Sequence, residues 1–169
     1  MRRTVAATLA AGLLLAACAE PGTAPEADGR SDSLLPRDRL ALPLFDLATY
    51  EALIDELHGT PVVVNIWGSW CPPCIVEAPD LATVSREFEG QAQFVGIDIL
   101  DARGPARDFI LRFDWPYPSV FDPTGAIRDG LGYVGQPITL VYDRDGALAF
   151  EWNGVISADL LRKEIRKVL

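Results

Sequence analysis

The feature that most constrains this sequence is a pair of cysteines, Cys71 and Cys74, lying between an apolar run and a helical pattern. Residues 62–67 are almost continuously apolar, which predicts a buried strand, and residues 73–88 have the periodicity of a helix. In the first turn of a helix, unpaired backbone N–H groups and the positive end of the helix dipole favour thiolate over thiol. The sequence therefore predicts a reactive pair in which Cys71 is the exposed nucleophile and Cys74 is its resolving partner.

Further strands and helices alternate on both sides of this junction. A short strand is predicted over residues 44–47, and Thr49 is predicted to cap a helix over residues 50–57. Later strands are predicted at residues 93–99, 119–121, 138–142 and 147–152, and later helices at 105–113, 127–131 and 158–169. This order predicts an α/β protein whose mixed central β-sheet is flanked by helices on both faces.

The first residues of the chain have the features of an export signal. Two arginines precede a short apolar stretch that ends in small residues, and this stretch is too short for a comfortable membrane span. Residues 1–17 are therefore predicted to be a signal peptide. The run Leu15-Ala16-Ala17-Cys18 resembles the bacterial lipoprotein signal, which implies that Cys18 carries a lipid anchor; the alternative is an unmodified cysteine after an ordinary signal.

The composition divides the remaining chain into a tether and one folded domain. Residues 18–39 are rich in Pro, Gly, Ala, Ser and acidic residues, which predicts a flexible linker, and residues 40–169 form the predicted domain. The net charge of −9 argues against a nucleic-acid partner, because phosphate binding needs a basic face.

Four features together resemble the thioredoxin fold over about residues 44–169, and within it the membrane-anchored TlpA/ResA/DsbE group of thiol–disulfide oxidoreductases. One is the motif Trp70-Cys71-Pro72-Pro73-Cys74, followed by Glu77 and Pro79. Another is the long segment over residues 96–122, which is similar to the strand and helix that this group inserts into the fold. The others are Gly135-Gln136-Pro137-Ile138-Thr139, which matches the family's Gly-x-Pro-x-Thr motif, and the exported, tethered arrangement.

The resemblance implies roles for residues outside the cysteine pair. Pro137 is expected to follow a cis peptide bond beside the disulfide, and Gln136 to present its backbone to an extended substrate. Glu77 is expected to be a partly buried acid with a raised pKa that deprotonates Cys74; the alternative is an ordinary solvent-facing glutamate. Asn65 occupies the place where cytoplasmic-type thioredoxins carry a buried aspartate.

The aromatic residues near the motif allow more than one interpretation. Trp67 is interpreted as core packing and Trp70 as a partly exposed wall of the substrate groove. Three further aromatic residues are candidates for the groove or for the core, and these are Trp115, Tyr117 and Tyr133.

Other uses of the cysteine pair receive less support from the sequence. Structural zinc needs four N or S ligands, whereas only His58 is left as a nitrogen ligand and no second cysteine pair exists. A permanent structural disulfide across three residues would constrain the unfolded chain little. A Cu(I) delivery module remains an alternative of another class, since two thiolates suit a soft ion. The prediction is therefore that the site holds no metal and needs no cofactor.

The implied reaction is thiol–disulfide exchange on exported protein disulfides at the extracytoplasmic face of a bacterial membrane. The resemblance implies a reductase with apocytochrome c as a substrate in cytochrome c biogenesis, re-reduced by a CcdA/DsbD-like membrane electron donor. An oxidase that forms disulfides in exported proteins is the alternative, because the Pro72-Pro73 dipeptide does not decide the direction.

Overall fold

The computed structural model describes residues 33–169, which belong to one compact unit. The predicted signal peptide and the predicted lipid anchor Cys18 lie outside the described residues. The elements, in chain order, are α1 Leu47–Glu56, β1 Val62–Trp67, α2 Pro72–Glu87, β2 Gln93–Ile99, α3 Arg103–Arg112, β3 Ser119–Asp122, α4 Ala126–Gly130, β4 Ile138–Tyr142, β5 Leu148–Asn153 and α5 Ala158–Ile165.

The strands form one five-stranded mixed sheet in the order β3-β2-β1-β4-β5. Strand β1 pairs in parallel with β2 and antiparallel with β4, while β2 pairs in parallel with β3 and β4 pairs antiparallel with β5. Every residue of β1 is buried, because the strand is central and helices cover both faces. The predicted mixed sheet is confirmed, and the segment between β2 and α4 supplies one helix, α3, and one strand, β3, as expected.

Side chains on β1 alternate between two hydrophobic clusters. Val63 and Trp67 face the cluster that also contains α2 and α3 residues, whereas Val64 and Ile66 face the cluster on the α1 side. Asn65 lies on the same face of β1 as Val63 and Trp67, so this polar residue points toward the helix that carries the cysteines. The strand pattern thus places one amide group under the predicted site.

The structure moves the beginning of the first helix. The N-cap of α1 is Asp46, not Thr49, because the Asp46 carboxylate accepts hydrogen bonds from the backbone N and the hydroxyl of Thr49, at 2.8 and 2.6 Å. The predicted strand before it is reduced to an isolated bridge between Leu44 and Phe121. At the other end of the domain, α5 ends at Ile165, four residues before the predicted end.

The last residues assigned to the linker contact the domain. Leu34 and Leu35 pack against the α1-side cluster, and the guanidinium of Arg39 donates to the Trp115 carbonyl at 2.7 Å and pairs with Asp114 at 2.9 Å. These apolar and ionic contacts explain why the compact unit begins before residue 40. No helix within residues 33–169 combines the length and the apolar character needed to cross a membrane.

Candidate active site

Cys71 is the N-cap of α2, and its sulfur accepts a hydrogen bond from the Cys74 backbone N at 3.3 Å. The sequence explains this geometry, because Pro72 and Pro73 occupy the first two helical positions and have no N–H to donate. The Cys74 amide is therefore the first N–H of the helix that can point at the Cys71 sulfur. Together with the helix dipole, this amide stabilises negative charge on Cys71.

Cys71 and Cys74 form a disulfide, with an S–S distance of 2.15 Å and a Cα–Cα distance of 5.3 Å. Cys74 is completely buried, and Cys71 is only 2% exposed. The expectation of an exposed Cys71 is wrong for this disulfide-bonded structure. The Cys71 side chain is covered because it is bonded to Cys74 and packs near the Gln136 carbonyl, whose oxygen lies 3.9 Å from the Cys71 sulfur.

The loop before β4 completes one side of the site. The Gln136–Pro137 peptide bond is cis, as the motif predicts, and Pro137 is buried while Gln136 is half-buried. The Pro137 carbonyl accepts from the Gly154 backbone N at 2.8 Å. The Gln136 side-chain oxygen accepts from the Arg128 guanidinium at 3.1 Å, a contact that the sequence did not indicate because it joins α4 to a loop.

Glu77 lies one helical turn after Cys74 and is 1% exposed, so the solvent-facing alternative is wrong. One carboxylate oxygen, Oε1, accepts from Asn65 Nδ2 at 2.8 Å, and Oε2 accepts from the Ile156 backbone N at 3.0 Å. Burial raises the pKa of Glu77 to about 7, although the two hydrogen bonds act in the opposite direction. Glu77 can therefore accept a proton near neutral pH.

The structure separates the aromatic residues that the sequence left unresolved. Trp70 is 49% exposed beside the cysteine pair, whereas Trp67 and Trp115 are completely buried and their ring centroids lie 4.9 Å apart. Tyr117 is also buried and stacks on Trp115, so both belong to the core. Tyr133 is half-buried, and its hydroxyl donates to Glu151 on β5.

Two acidic residues near the site were missed by the sequence reasoning. Asp98 on β2 is completely buried, and the carboxylate of Asp101 accepts from the Ser69 backbone N at 2.6 Å. Asp98 follows Phe94 and Gly96 at alternate positions of a strand, so its inward direction was readable from the sequence. Within residues 33–169, no three His, Cys, Asp or Glu side chains are grouped so that they could hold a metal ion.

Comparison with known families identifies the group to which this geometry belongs. Residues 40–151 match the model of the AhpC/TSA family, which is more than half of the chain. This chain belongs to the AhpC/TSA family. The family match covers the described elements from before α1 to the middle of β5, including the cysteine pair and the cis-proline loop.

Relatives of this AhpC/TSA chain carry names from thiol chemistry. It is 32% identical over 111 residues to the thiol:disulfide interchange protein DsbE of Pseudomonas aeruginosa, a match that covers 65% of this chain and 60% of the relative. It is 24% identical over 124 residues to the thiol-disulfide oxidoreductase ResA of Bacillus thuringiensis, covering 73% of this chain and 72% of the relative.

A solved structure also matches the fold. The secreted Mycobacterium tuberculosis disulfide oxidoreductase homologous to Escherichia coli DsbE superimposes with a TM-score of 0.63 and is 25% identical, covering 78% of this chain and 99% of the other. The thioredoxin-like α/β fold is thereby confirmed. The sequence alignments with the first curated relatives cover only 60% and 63% of those proteins, which is about three fifths of their length.

Proposed function

We propose that this protein is an extracytoplasmic thiol–disulfide oxidoreductase that reduces disulfides in exported proteins. The observation that carries the proposal is the placement of three groups around one disulfide. Cys71 caps α2, Glu77 lies buried one turn beyond Cys74, and the cis Gln136–Pro137 loop lies against Cys71. These groups can serve as nucleophile, proton acceptor and substrate-positioning surface.

The first half of the reaction uses the reduced cysteine pair. The Cys71 thiolate, stabilised by the Cys74 amide and the helix N-terminus, attacks one sulfur of the substrate disulfide. A Cys71–substrate disulfide forms, the substrate S–S bond breaks, and the departing substrate thiolate takes a proton from solvent. Pro137 presents no N–H beside this reaction centre, whereas the Gln136 carbonyl oxygen lies 3.9 Å from the Cys71 sulfur, where an approaching chain can meet it.

The second half resolves the mixed disulfide. Glu77, with a pKa raised by burial to about 7, accepts the proton of the Cys74 thiol. The Cys74 thiolate then attacks the Cys71 sulfur, the Cys71–Cys74 bond forms, and the second substrate sulfur leaves as a thiolate. The substrate gains two electrons and becomes a dithiol, while the cysteine pair of this protein is oxidised.

The partners follow from the compartment and from the family. Apocytochrome c is the proposed substrate, because its paired cysteines must be reduced before haem attachment. Trp70, the exposed aromatic side chain beside the pair, is proposed to contact the substrate segment. A CcdA/DsbD-like membrane thiol–disulfide donor is proposed to re-reduce Cys71–Cys74, with lipidated Cys18 holding the protein at the membrane surface.

The test combines the reduction potential with a trapping experiment. We expect residues 33–169 to equilibrate with dithiothreitol buffers near the potential of thioredoxin, about −270 mV or lower. The Cys74→Ser variant, once reduced, should capture an oxidised apocytochrome c peptide as a stable mixed disulfide, and Cys71→Ser should capture none.

The two measurements distinguish the directions of the reaction. A potential near −120 mV, like that of the strong oxidant DsbA, would contradict the reductase and indicate a protein that forms disulfides. Equal capture by Cys71→Ser and Cys74→Ser would contradict Cys71 as the attacking sulfur. Capture of unrelated disulfide peptides at the same rate as the apocytochrome c peptide would contradict the proposed substrate.

A further inference from the structure

Arg128 is a cation on α4 that the proposed reaction does not use, and its guanidinium reaches the loop beside Cys71. Its Nη1 donates to the side-chain oxygen of Gln136 at 3.1 Å, while Nε and Nη2 donate to one carboxylate oxygen of Asp129 at 2.8 and 2.6 Å. The Arg128 side chain is only 14% exposed, against 60% for Asp129. A long cation that two acceptors hold largely out of water has little freedom left, so it can fix the group that it contacts.

The contact with Arg128 determines how the side-chain amide of Gln136 is turned. An arginine side chain has donors and no acceptor, so the amide oxygen of Gln136 is the atom that faces Arg128. The amide nitrogen, Nε2, with its two N–H donors, is then on the branch that points away from Arg128. Within residues 33–169, Nε2 makes no hydrogen bond, and the residue is half-buried. Arg128 thus leaves a turned amide whose donors can serve a bound molecule.

Backbone hydrogen bonds hold the loop that carries Gln136. The Arg128 carbonyl accepts from the Tyr133 backbone N at 3.1 Å, and the Pro137 carbonyl accepts from the first backbone N after β5 at 2.8 Å. On the side of the cysteine pair, the Gln136 carbonyl oxygen lies 3.9 Å from the Cys71 sulfur. The Nε2 donor therefore belongs to a residue that is fixed beside the reacting sulfur.

We propose that Arg128 is a positioning residue that acts through Gln136: it holds the side-chain amide so that Nε2 donates to a backbone carbonyl of the substrate segment joined to Cys71. The inference rests on the proposed function, which makes the bound molecule a protein disulfide. Such a segment has a backbone carbonyl at every residue, and each carbonyl that leaves water needs a donor. An amide that is already turned loses less freedom when the substrate binds. The pair of residues thus favours polypeptide disulfides over small disulfides that have no peptide carbonyl.

A capture experiment separates peptide recognition from the reactivity of Cys71. In a parent protein with Cys18→Ser and Cys74→Ser, Cys71 is the only thiol of the full chain. The reduced parent is mixed with an oxidised Cys-x-x-Cys peptide or with hydroxyethyl disulfide, and the two second-order rate constants of mixed-disulfide formation are expressed as a ratio. A change in Cys71 reactivity alters both rate constants and cancels in the ratio. A lost hydrogen bond to a peptide carbonyl lowers the peptide rate constant alone.

Four variants of this parent test the role of Arg128. Arg128→Met removes the donors and should lower the ratio of peptide to small-disulfide capture about fivefold, as expected for one neutral hydrogen bond. Gln136→Met should lower the ratio by the same factor, and the double variant should fall no further, because both substitutions remove the same substrate contact. Arg128→Lys keeps a charged donor and should recover part of the loss. Arg166→Met removes an exposed cation at the end of α5 and should leave the ratio unchanged.

An Arg128→Met ratio equal to that of the parent would overturn the proposal. So would a double variant whose ratio falls by the product of the two single effects, because Arg128 would then act independently of Gln136. If Arg128→Met does not fold, Gln136→Met decides the question, and an unchanged ratio there overturns the proposal. An oxidising reduction potential would contradict the proposed reductase and leave this test intact, because the same Cys71 mixed disulfide is formed in both directions of the reaction.

Discussion

The side-chain amide of Asn65 donates a 2.8 Å hydrogen bond to the Glu77 carboxylate, although one residue is on β1 and the other on α2. A second donor, the Ile156 backbone N, approaches the other carboxylate oxygen at 3.0 Å from the segment before α5. Donors from β1 and from the segment before α5 thus hold the buried carboxylate of α2. The two donors stabilise the charged form of Glu77, and burial opposes them.

Glu77→Gln should slow the resolution of the mixed disulfide. Glutamine cannot accept the Cys74 proton, and loss of a general base costs about a hundredfold in rate or more. In the wild type the rate of resolution should rise with pH through about 7, where Glu77 loses its proton, and this rise should be absent in the variant. Stopped-flow release of a substrate thiol from a preformed mixed disulfide measures the step.

Glu87→Gln is the matched control for this rate, because Glu87 is an exposed acid on the same helix that pairs with Arg162. Its rate of resolution should equal that of the wild type at every pH. A Glu77→Gln profile that still rises through pH 7 would contradict the assignment of Glu77 as the proton acceptor.

The same Glu77→Gln substitution should remove a pH dependence from the stability of the fold. The folded pKa of Glu77, about 7, lies above its value in the unfolded chain, so the folded state holds the proton more tightly. The stability that this provides is complete below the unfolded pKa and is lost as pH rises through the folded pKa. Glutamine does not titrate, but its amide NH2 cannot accept a hydrogen bond, so the variant loses one of the two bonds from Asn65 and Ile156 at every pH. The free energy of unfolding of the wild type should therefore fall relative to that of the variant by about 3 kcal/mol between pH 4.5 and pH 8.

Urea denaturation at pH 4.5 and pH 8 measures this difference in unfolding free energy. The wild type should be the more stable protein at pH 4.5, where Glu77 is largely protonated in the folded state and the variant lacks one hydrogen bond. This advantage should be lost by pH 8. If the unfolding free energies of the wild type and of Glu77→Gln differ by the same amount at both pH values, Glu77 titrates in the folded protein as it does in the unfolded chain.

Asn65→Leu should raise the pKa of Glu77 above its wild-type value. The substitution removes the donor to Oε1 and keeps water out, so that the charged form loses a hydrogen bond while burial stays. Carbon-13 NMR of the Glu77 carboxyl should show a higher titration midpoint, and unfolding should cost about 1–3 kcal/mol less than in the wild type.

Thr139→Val is the control for this variant. The Thr139 hydroxyl lies 3.3 Å from Asn65 Nδ2, and within residues 33–169 it makes no hydrogen bond to Glu77. The Glu77 midpoint should move far less in Thr139→Val than in Asn65→Leu. Equal midpoints in Asn65→Leu and the wild type would show that the hydrogen bond contributes little to the charge on Glu77.

Gly96→Ala should destabilise the sheet beneath the site. A Cβ at residue 96 would clash with the Ser119 hydroxyl oxygen and lie 2.7 Å from Trp67 Nε1, and both side chains are buried. Their displacement should lower the free energy of unfolding by about 1–3 kcal/mol, measured by urea denaturation.

Gly104→Ala supplies the matched comparison for the added methyl group. A Cβ at residue 104 meets no atom within 4 Å, and the residue lies in α3. Alanine there should raise stability by about 0.5–1 kcal/mol, because it reduces the freedom of the unfolded chain. Equal effects at both glycines would contradict the close approach at residue 96.

The central strands are the elements that the sequence predicts best, because their own apolar residues give a clear local signal. The bounds of β1, β2 and β4 are as predicted, because each is a mostly apolar run with the length of a buried strand. The errors fall at ends and edges. The α1 cap moves from Thr49 to Asp46, and β5 begins at Leu148 beside a register irregularity at Val141 and Tyr142, where side-chain hydrogen bonds and strand pairing compete with local preference.

The sequence by itself determined the strand–helix junction at the cysteines and the amide that points at Cys71, because adjacent prolines remove the earlier donors whatever the rest of the chain does. Tertiary structure alone decided the burial of Glu77, the placement of Trp115 in the core and the contact of the Asp101 carboxylate with the Ser69 amide. These properties depend on groups that lie far apart in the chain. A pKa or an exposed fraction is set by every neighbour in space, and the packing of the sheet and helices chooses those neighbours.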